Sequence, residues 1–189
     1  MADTARSLNR RIAARVKELR TARGLSLDAL SGKSGVSRSM ISLIERGETS
    51  PTAVILEKIA TGLGVTLGSL FDDATAPPDP KSTARDRVRW KDPQSGYVRR
   101  NISPANFPSP IRIVEVEFPA GAKVAYETAA RESAVAQQIW VRHGAIEVTV
   151  GKTVHQLSKD DCLAMNLDVP VTFRNRTRKT ARYVVVLSS

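Results

Sequence analysis

The hydrophobic period of this chain changes once, and that change requires two units of different architecture. Up to about residue 71, apolar residues recur at helical spacing, beginning with Leu8, Ile12, Val16 and Leu19. From about residue 87, short runs rich in Val and Ile alternate with turn signals. Between them lies Asp72-Asp-Ala-Thr-Ala-Pro77-Pro78-Asp-Pro80-Lys-Ser-Thr, without hydrophobic periodicity and rich in proline and small polar residues. Such a stretch reads as a semi-extended linker. The expected division is a helical domain over 1–73, a linker over 74–86 and a β domain over 87–189. With 189 residues there is room for two small cores, and no internal repeat is visible.

The helical half reads as five short helices. The first stops near Gly24. Ser26 can cap a second, with Asp28 in its first turn, Leu27 and Leu30 inward, and the small Ser31 permitting close approach of another helix. Gly35 supplies a tight turn, and Ser37 can cap a third helix running to about Arg46, with Met40, Ile41 and Ile44 as its apolar side. Gly47 and Pro51 lead to a fourth helix through Val54, Leu56, Ile59 and Leu63, and a short fifth is expected from Thr66 to Phe71. In the second half, strands are expected over 112–118, 138–141, 145–150, 169–173 and 182–187. Turns are expected at Pro119-Ala-Gly121, His143-Gly144, Gly151-Lys152 and Lys159-Asp-Asp161. This spacing indicates a β-sandwich or barrel.

The net charge of +10 favours a polyanionic partner. The excess is not concentrated in the helical half, where eleven Lys/Arg stand against eight Asp/Glu in residues 1–73. It clusters there in Arg6, Arg10, Arg11 and Arg15. The second half carries Arg85, Arg87, Arg89, Arg99 and Arg100, and later Arg174, Arg176, Arg178, Lys179 and Arg182. These runs either meet phosphates or an anionic ligand, or form solvated faces. Cys162 is the only cysteine, so no disulfide within the chain exists, and its apolar neighbours suggest a small core residue. With no signal-like or membrane-spanning run, the cytoplasm is the expected location and no membrane partner is expected.

The segment from Leu27 to Arg46 has a helix–glycine turn–helix layout. That layout works in DNA recognition when Val36 and Ile41 anchor the second helix of the pair and its leading outer face carries groups that reach base edges. Ser37, Arg38, Ser39 and Ser42 supply that face. Arginine pairs bidentately with guanine, and serine contacts bases or phosphates. The same layout also occurs in small helical bundles with no such role.

Val36-Ser37-Arg38-Ser39-Met-Ile-Ser-Leu-Ile-Glu45-Arg46-Gly47-Glu-Thr-Ser-Pro51-Thr, followed by Leu56-Glu-Lys-Ile-Ala60 and Leu63-Gly-Val65, resembles the lambda and 434 repressor/Cro superfamily, the XRE-type helix-turn-helix, over about residues 8–71. The resemblance implies a sequence-specific transcription regulator that binds a double-stranded DNA operator, normally as a homodimer. By it, Arg38, Ser39 and Leu43 occupy base-reading positions, Ser42 lies beside them and Arg46 meets a phosphate. Leu27 stands where many relatives carry Gln. Leu43 replaces a usual polar residue, and either touches a thymine methyl or packs. Glu45 is expected to organise the domain internally.

The second half resembles a cupin, an all-β barrel of the jelly-roll type, through Pro119-Ala-Gly121, Gln137-Gln-Ile-Trp-Val-Arg-His-Gly144, Leu157-Ser-Lys-Asp-Asp161 and Asn175. Metal-binding cupins carry a cluster of His and Glu. Here Glu127 and Ala129 stand at the His pair, Gln137 replaces the Glu, Pro170 falls near the last His, and His143 and His155 lie elsewhere. No metal, no cofactor and no catalytic residue are therefore expected. The barrel interior is instead expected to hold a small-molecule effector or to serve dimerisation, with Tyr126, Glu127, Gln137 and Trp140 as candidate ligand contacts. Met165 and Phe173 are further candidates, and each of these residues reads equally well as core. The competing readings are a cupin enzyme with an accessory DNA-binding module and an antitoxin-like DNA-binding protein.

Overall fold

A computed structural model describes residues 2–72, 78–85, 87–105, 107–127 and 135–188, with side chains from Ser7 onward. Residues 74–77 and 86 of the expected linker, Ala129 and the Arg6 side chain lie outside the described residues.

Four α-helices open the chain: α1 (Ala2–Ala22), α2 (Leu27–Ser34), α3 (Arg38–Glu45) and α4 (Ala53–Gly62). Leu8, Ile12, Val16 and Leu19 of α1 are buried together with Leu30, Ile41, Ile44, Leu56 and Ile59, so the apolar stripes read from the sequence face one another. Ser26, Ser37 and Thr52 cap α2, α3 and α4 by accepting from Ala29 N, Met40 N and Ile55 N. The close helix approach expected at Ser31 falls instead at Ser34, which meets Gly62 of α4. The expected fifth α-helix is a 3-10 helix over Leu67–Phe71. Four of its five residues are buried, and Ser69 N bonds to Thr66 O. So short a run, boxed in on most sides, is satisfied by the tighter i→i+3 turn.

Ten strands follow: β1 (Arg89–Lys91), β2 (Val98–Asn101), β3 (Ile111–Phe118), β4 (Lys123–Tyr126), β5 (Ala136–His143), β6 (Ile146–Val150), β7 (Thr153–Leu157), β8 (Cys162–Asn166), β9 (Val171–Arg174) and β10 (Ala181–Ser188). They do not close into one hydrogen-bonded barrel. A six-stranded sheet, β1-β2-β3-β10-β5-β8, packs against a four-stranded one, β4-β9-β6-β7. The pairings β3/β10, β4/β9, β5/β8 and β6/β7 nest inside one another, all antiparallel. This is a hairpin ribbon folded over on itself.

Asn175, fully buried, holds one end of this ribbon. Its Nδ2 donates to Phe118 O and Lys179 O, and its Oδ1 accepts from Thr177 N. Cys162 is exposed on edge strand β8 rather than in the core, because its side chain takes the outer of the strand's two alternating faces. Of the basic runs in this half, Arg100 pairs with Glu115 and Arg176 with Glu147. Arg99 is buried. No helix among the described residues is long and apolar enough to cross a membrane.

The two units are docked. Buried Asp92, just after β1, accepts from Ala53 N at 2.8 Å, so a carboxylate of the β domain caps the N-terminus of α4. Arg112 of β3 bonds Asp72 at 3.2 Å, and Lys58 of α4 pairs with Glu127 at 2.7 Å. Asn101 Nδ2 donates to Gly68 O, and Arg99 lies over the Phe71 ring at 5.6 Å.

Candidate nucleic-acid interface and the cavity behind it

The geometry of α3 is set by its flanks. Gly35 closes α2 at φ +66°, where side-chain-bearing residues are strained, and its N–H bonds Ser31 O at 2.9 Å. Buried Val36, Ile41 and Ile44 then fix the inner side of α3. Below them, Arg20 of α1 donates Nε and Nη2 to the two oxygens of Glu45 at 2.6 and 2.8 Å. Both side chains are largely shielded, and the pair raises the Arg20 pKa above its ordinary value, chiefly through the hydrogen bond to Glu45. Glu45 therefore ties α3 to α1 inside the domain, its expected role.

On the opposite side, residues 38, 39, 42, 43 and 46 form one stripe by helical spacing. Ser37, Arg38, Ser39 and Arg46 are exposed, whereas Ser42 and Leu43 are half-buried. Ser37 spends its hydroxyl on the cap and on a 3.2 Å contact with Ser39 Oγ. Arg38 is 65% exposed, and its one ion pair among the described residues, to an exposed Asp28 at 3.3 Å, is solvent-screened. The guanidinium is thus free to exchange partners. Arg46 is more engaged. It pairs bidentately with Glu48 at 2.8 Å and donates to Ser42 Oγ. The hydrogen bonds between them raise the Arg46 pKa and lower that of Glu48. A phosphate meeting Arg46 has to compete with Glu48.

The two domains together line a second site. A cavity of ≈ 90 Å³ opens at the domain seam, between Thr61, Leu67 and Gly68 of the helical unit and Tyr97, Arg99 and Tyr126 of the sheets. Tyr126, Glu127, Gln137 and Phe173 all line it. Trp140 does not: it is 43% exposed on the outer face, its ring covered by Arg142 at 3.8 Å. The reason is the strand period. Gln137, Ile139 and Val141 of β5 point inward, so Gln138, Trp140 and Arg142 point out. Met165 of β8 does not line the cavity either; it is half-buried and packs against the core.

Of the lining residues, Tyr97 was not singled out from the sequence, and Arg99 figured there only as one member of a basic run. Tyr97 directly precedes β2 and Arg99 lies within it, a strand of four residues whose burial does not alternate, so no periodic signal marks either side chain as inward. Aromatic rings continue from the seam into the cavity, Phe71, Trp90, Tyr97, Phe118, Tyr183 and Phe173 following one another at 5.6–6.1 Å. Burial raises the phenol pKa of Tyr97, and raises those of Tyr126 and Tyr183 well above the ordinary value. All three stay neutral hydrogen-bond donors near neutral pH. Among the described residues, no group of three or more His, Cys, Asp or Glu converges on a point.

Comparison with known proteins places this geometry. Residues 16–70 match the helix-turn-helix family. Over 177 residues the chain is 28% identical to the HTH-type transcriptional regulator SutR of Escherichia coli, covering 94% of both proteins. It is 38% identical over 60 residues to the control protein C.MunI of a Mycoplasma species, covering 31% of this chain and 81% of that protein. Among solved structures, an HTH_3 family transcriptional regulator from Vibrio cholerae superposes with a TM-score of 0.79 at 27% identity, covering 98% of each chain.

Proposed function

This chain belongs to the XRE-type helix-turn-helix family of DNA-binding transcription regulators, and from that premise we propose how its parts divide the work. Helix α3 enters the major groove with Arg38, Ser39 and Ser42 leading, Leu43 beside them, Ser37 at the helix mouth and Arg46 at a backbone phosphate. The observation that carries this reading is the exposed, weakly paired Arg38 on a helix whose other side is locked by Ile41, Ile44 and the Glu45–Arg20 pair. Arg38 reads guanine through its two parallel N–H groups, and Leu43 offers an apolar surface to a thymine methyl.

One such helix buries too little surface for tight specific binding, so two copies act on half-sites about 10 bp apart. The β domain, in the nested pairing of a cupin-type jelly roll, holds a small effector in the seam cavity without a metal, and the protein works in the cytoplasm as a non-enzymatic regulator. Domain limits of 1–73 and 87–189 suit this division.

Operator binding tests the reading. Genome-wide mapping of bound fragments yields the best site. Purified protein is expected to bind it more tightly than scrambled duplex at moderate salt by about a thousandfold or more. Equal affinity for the two removes the regulator function. Stoichiometric iron, manganese or zinc in the purified protein would favour the cupin-enzyme reading instead.

A further inference from the structure

The seam cavity contains a guanidinium donor without an acceptor among the described residues. Arg99 is 8% exposed. Its Nε donates to Asn101 Oδ1 at 3.3 Å, yet its buried Nη2 has no hydrogen-bond partner among the described residues. That nitrogen lies at the cavity wall. A Cβ built on Gly68, itself a lining residue, would come within 3.2 Å of it. A buried guanidinium N–H without an acceptor is costly, and a planar oxyanion is the group that answers it best.

The rest of the wall narrows the ligand. Tyr97 and Tyr126 meet hydroxyl to hydroxyl at 3.2 Å, which uses one of their two protons and leaves the other for a ligand. Phe118, Phe173, Val116 and Val185 provide apolar surface for an organic body. Glu57 and Glu127 also line the site, and they disfavour a second negative charge. The volume of ≈ 90 Å³ corresponds to roughly six waters, which suits a small molecule and not a nucleotide.

We propose that this cavity binds a small organic monocarboxylate, its oxyanion on Arg99 and its apolar body among the aromatic rings, and that the occupant clamps the helical domain to the β domain. The inference rests on the effector-sensing reading above and specifies its ligand class and its coupling. The clamp follows from the walls. Thr61, Leu67 and Gly68 belong to the DNA-binding unit and Arg99, Tyr97 and Tyr126 to the sheets, so an occupant touches both. A ligand that bridges two units favours whichever docking completes its site.

The test uses the full chain carrying Trp140→Phe, which leaves Trp90, buried beside Phe71 at the seam, as the sole indole. Benzoate and propionate are titrated against benzamide, propionamide, succinate and sulfate, reading thermal midpoint and Trp90 emission. Benzoate is expected to raise the midpoint by several degrees and shift the emission, with little response to the amides, succinate or sulfate. Arg99→Gln is expected to lose the benzoate response at least tenfold and Tyr126→Phe to weaken it. Should Arg99→Gln fail to fold, Arg99→Lys serves, with weakened but still charge-selective binding expected. Operator affinity measured with and without saturating benzoate is expected to differ at least fivefold. No response to any carboxylate, an equal response to the amide or to sulfate, or an undiminished response in the Arg99 variants overturns the ligand assignment. Benzoate binding with unchanged operator affinity overturns the clamp. Operator discrimination without ligand is read separately, so failure of the regulator reading is distinguishable from either.

Discussion

The face of α3 and the cavity at the seam each depend on an arginine, and they are built in opposite ways. Arg38 stands in a run of ten residues, Ser37 to Arg46, that supplies its own cap, apolar anchor and polar stripe. Arg99 sits in a site whose walls run from Glu57 to Leu187 along the chain. One guanidinium is open to solvent and weakly paired, whereas the other is enclosed with a nitrogen that has no hydrogen-bond partner among the described residues. A locally built surface site adapts to an external polyanion. A site assembled from distant segments takes its shape from how those segments pack.

The largest effect expected from this contrast is structural. Ile41→Ala empties a fully buried position beneath α3 and is expected to cost about 2–5 kcal/mol of stability in denaturant unfolding, with operator binding lost alongside. A cost under ~1 kcal/mol would mean that α3 is not anchored from within. Next, Arg38→Ala should weaken operator binding by roughly 1–3 kcal/mol and relax preference at one base pair. Its thermal midpoint should scarcely move, since its partner Asp28 is exposed. Unchanged selectivity across a library of operator variants would remove Arg38 from base readout.

Asp92→Ala removes the acceptor that the β domain lends to Ala53 N of α4, together with its bonds to Ser95 N and Oγ in the β1–β2 turn, and is expected to cost about 1–3 kcal/mol. Trp90 emission should report a looser seam. A variant with wild-type stability and emission would show the domains to be independent.

The smallest effect concerns pH. Burial raises the Asp72 carboxyl above its ordinary pKa, with Arg112 the main opposing influence. The folded chain therefore holds that proton more readily than the unfolded one. Asp72 by this route costs stability as pH rises from its ordinary value through the raised one. Thermal midpoints of wild type minus Asp72→Asn, scanned across the acidic range, should fall with rising pH. An increase would mean that the ion pair with Arg112 outweighs burial.

The DNA-facing half was legible because its determinants are close in sequence. Ser26, Gly35 and Ser37 announce helix ends, and the spacing of Ile41 and Ile44 says which side of α3 is covered. The fifth helix was misread because burial on nearly all sides, which no local pattern reveals, tightened Leu67–Phe71 into a 3-10 turn. Trp140 was placed inside when strict alternation from Gln137 already sends it outward. In that case the signal was present in the sequence. Cys162 was placed in the core because its apolar neighbours look the same on an edge strand as on a central one.

The chain's residues alone specified two units, a helical one whose third helix presents Arg38, Ser39 and Ser42, and a β one lacking a metal-binding histidine cluster. These follow from periodicity, capping and residue type, all short-range properties. Folding in three dimensions decided the rest: that Asp92 caps a helix 39 positions away, that Gly68 meets Arg99, and that the cavity is walled by both domains. Contacts between distant segments depend on strand pairing and docking, and the hydrophobic pattern of any one segment is compatible with many such arrangements.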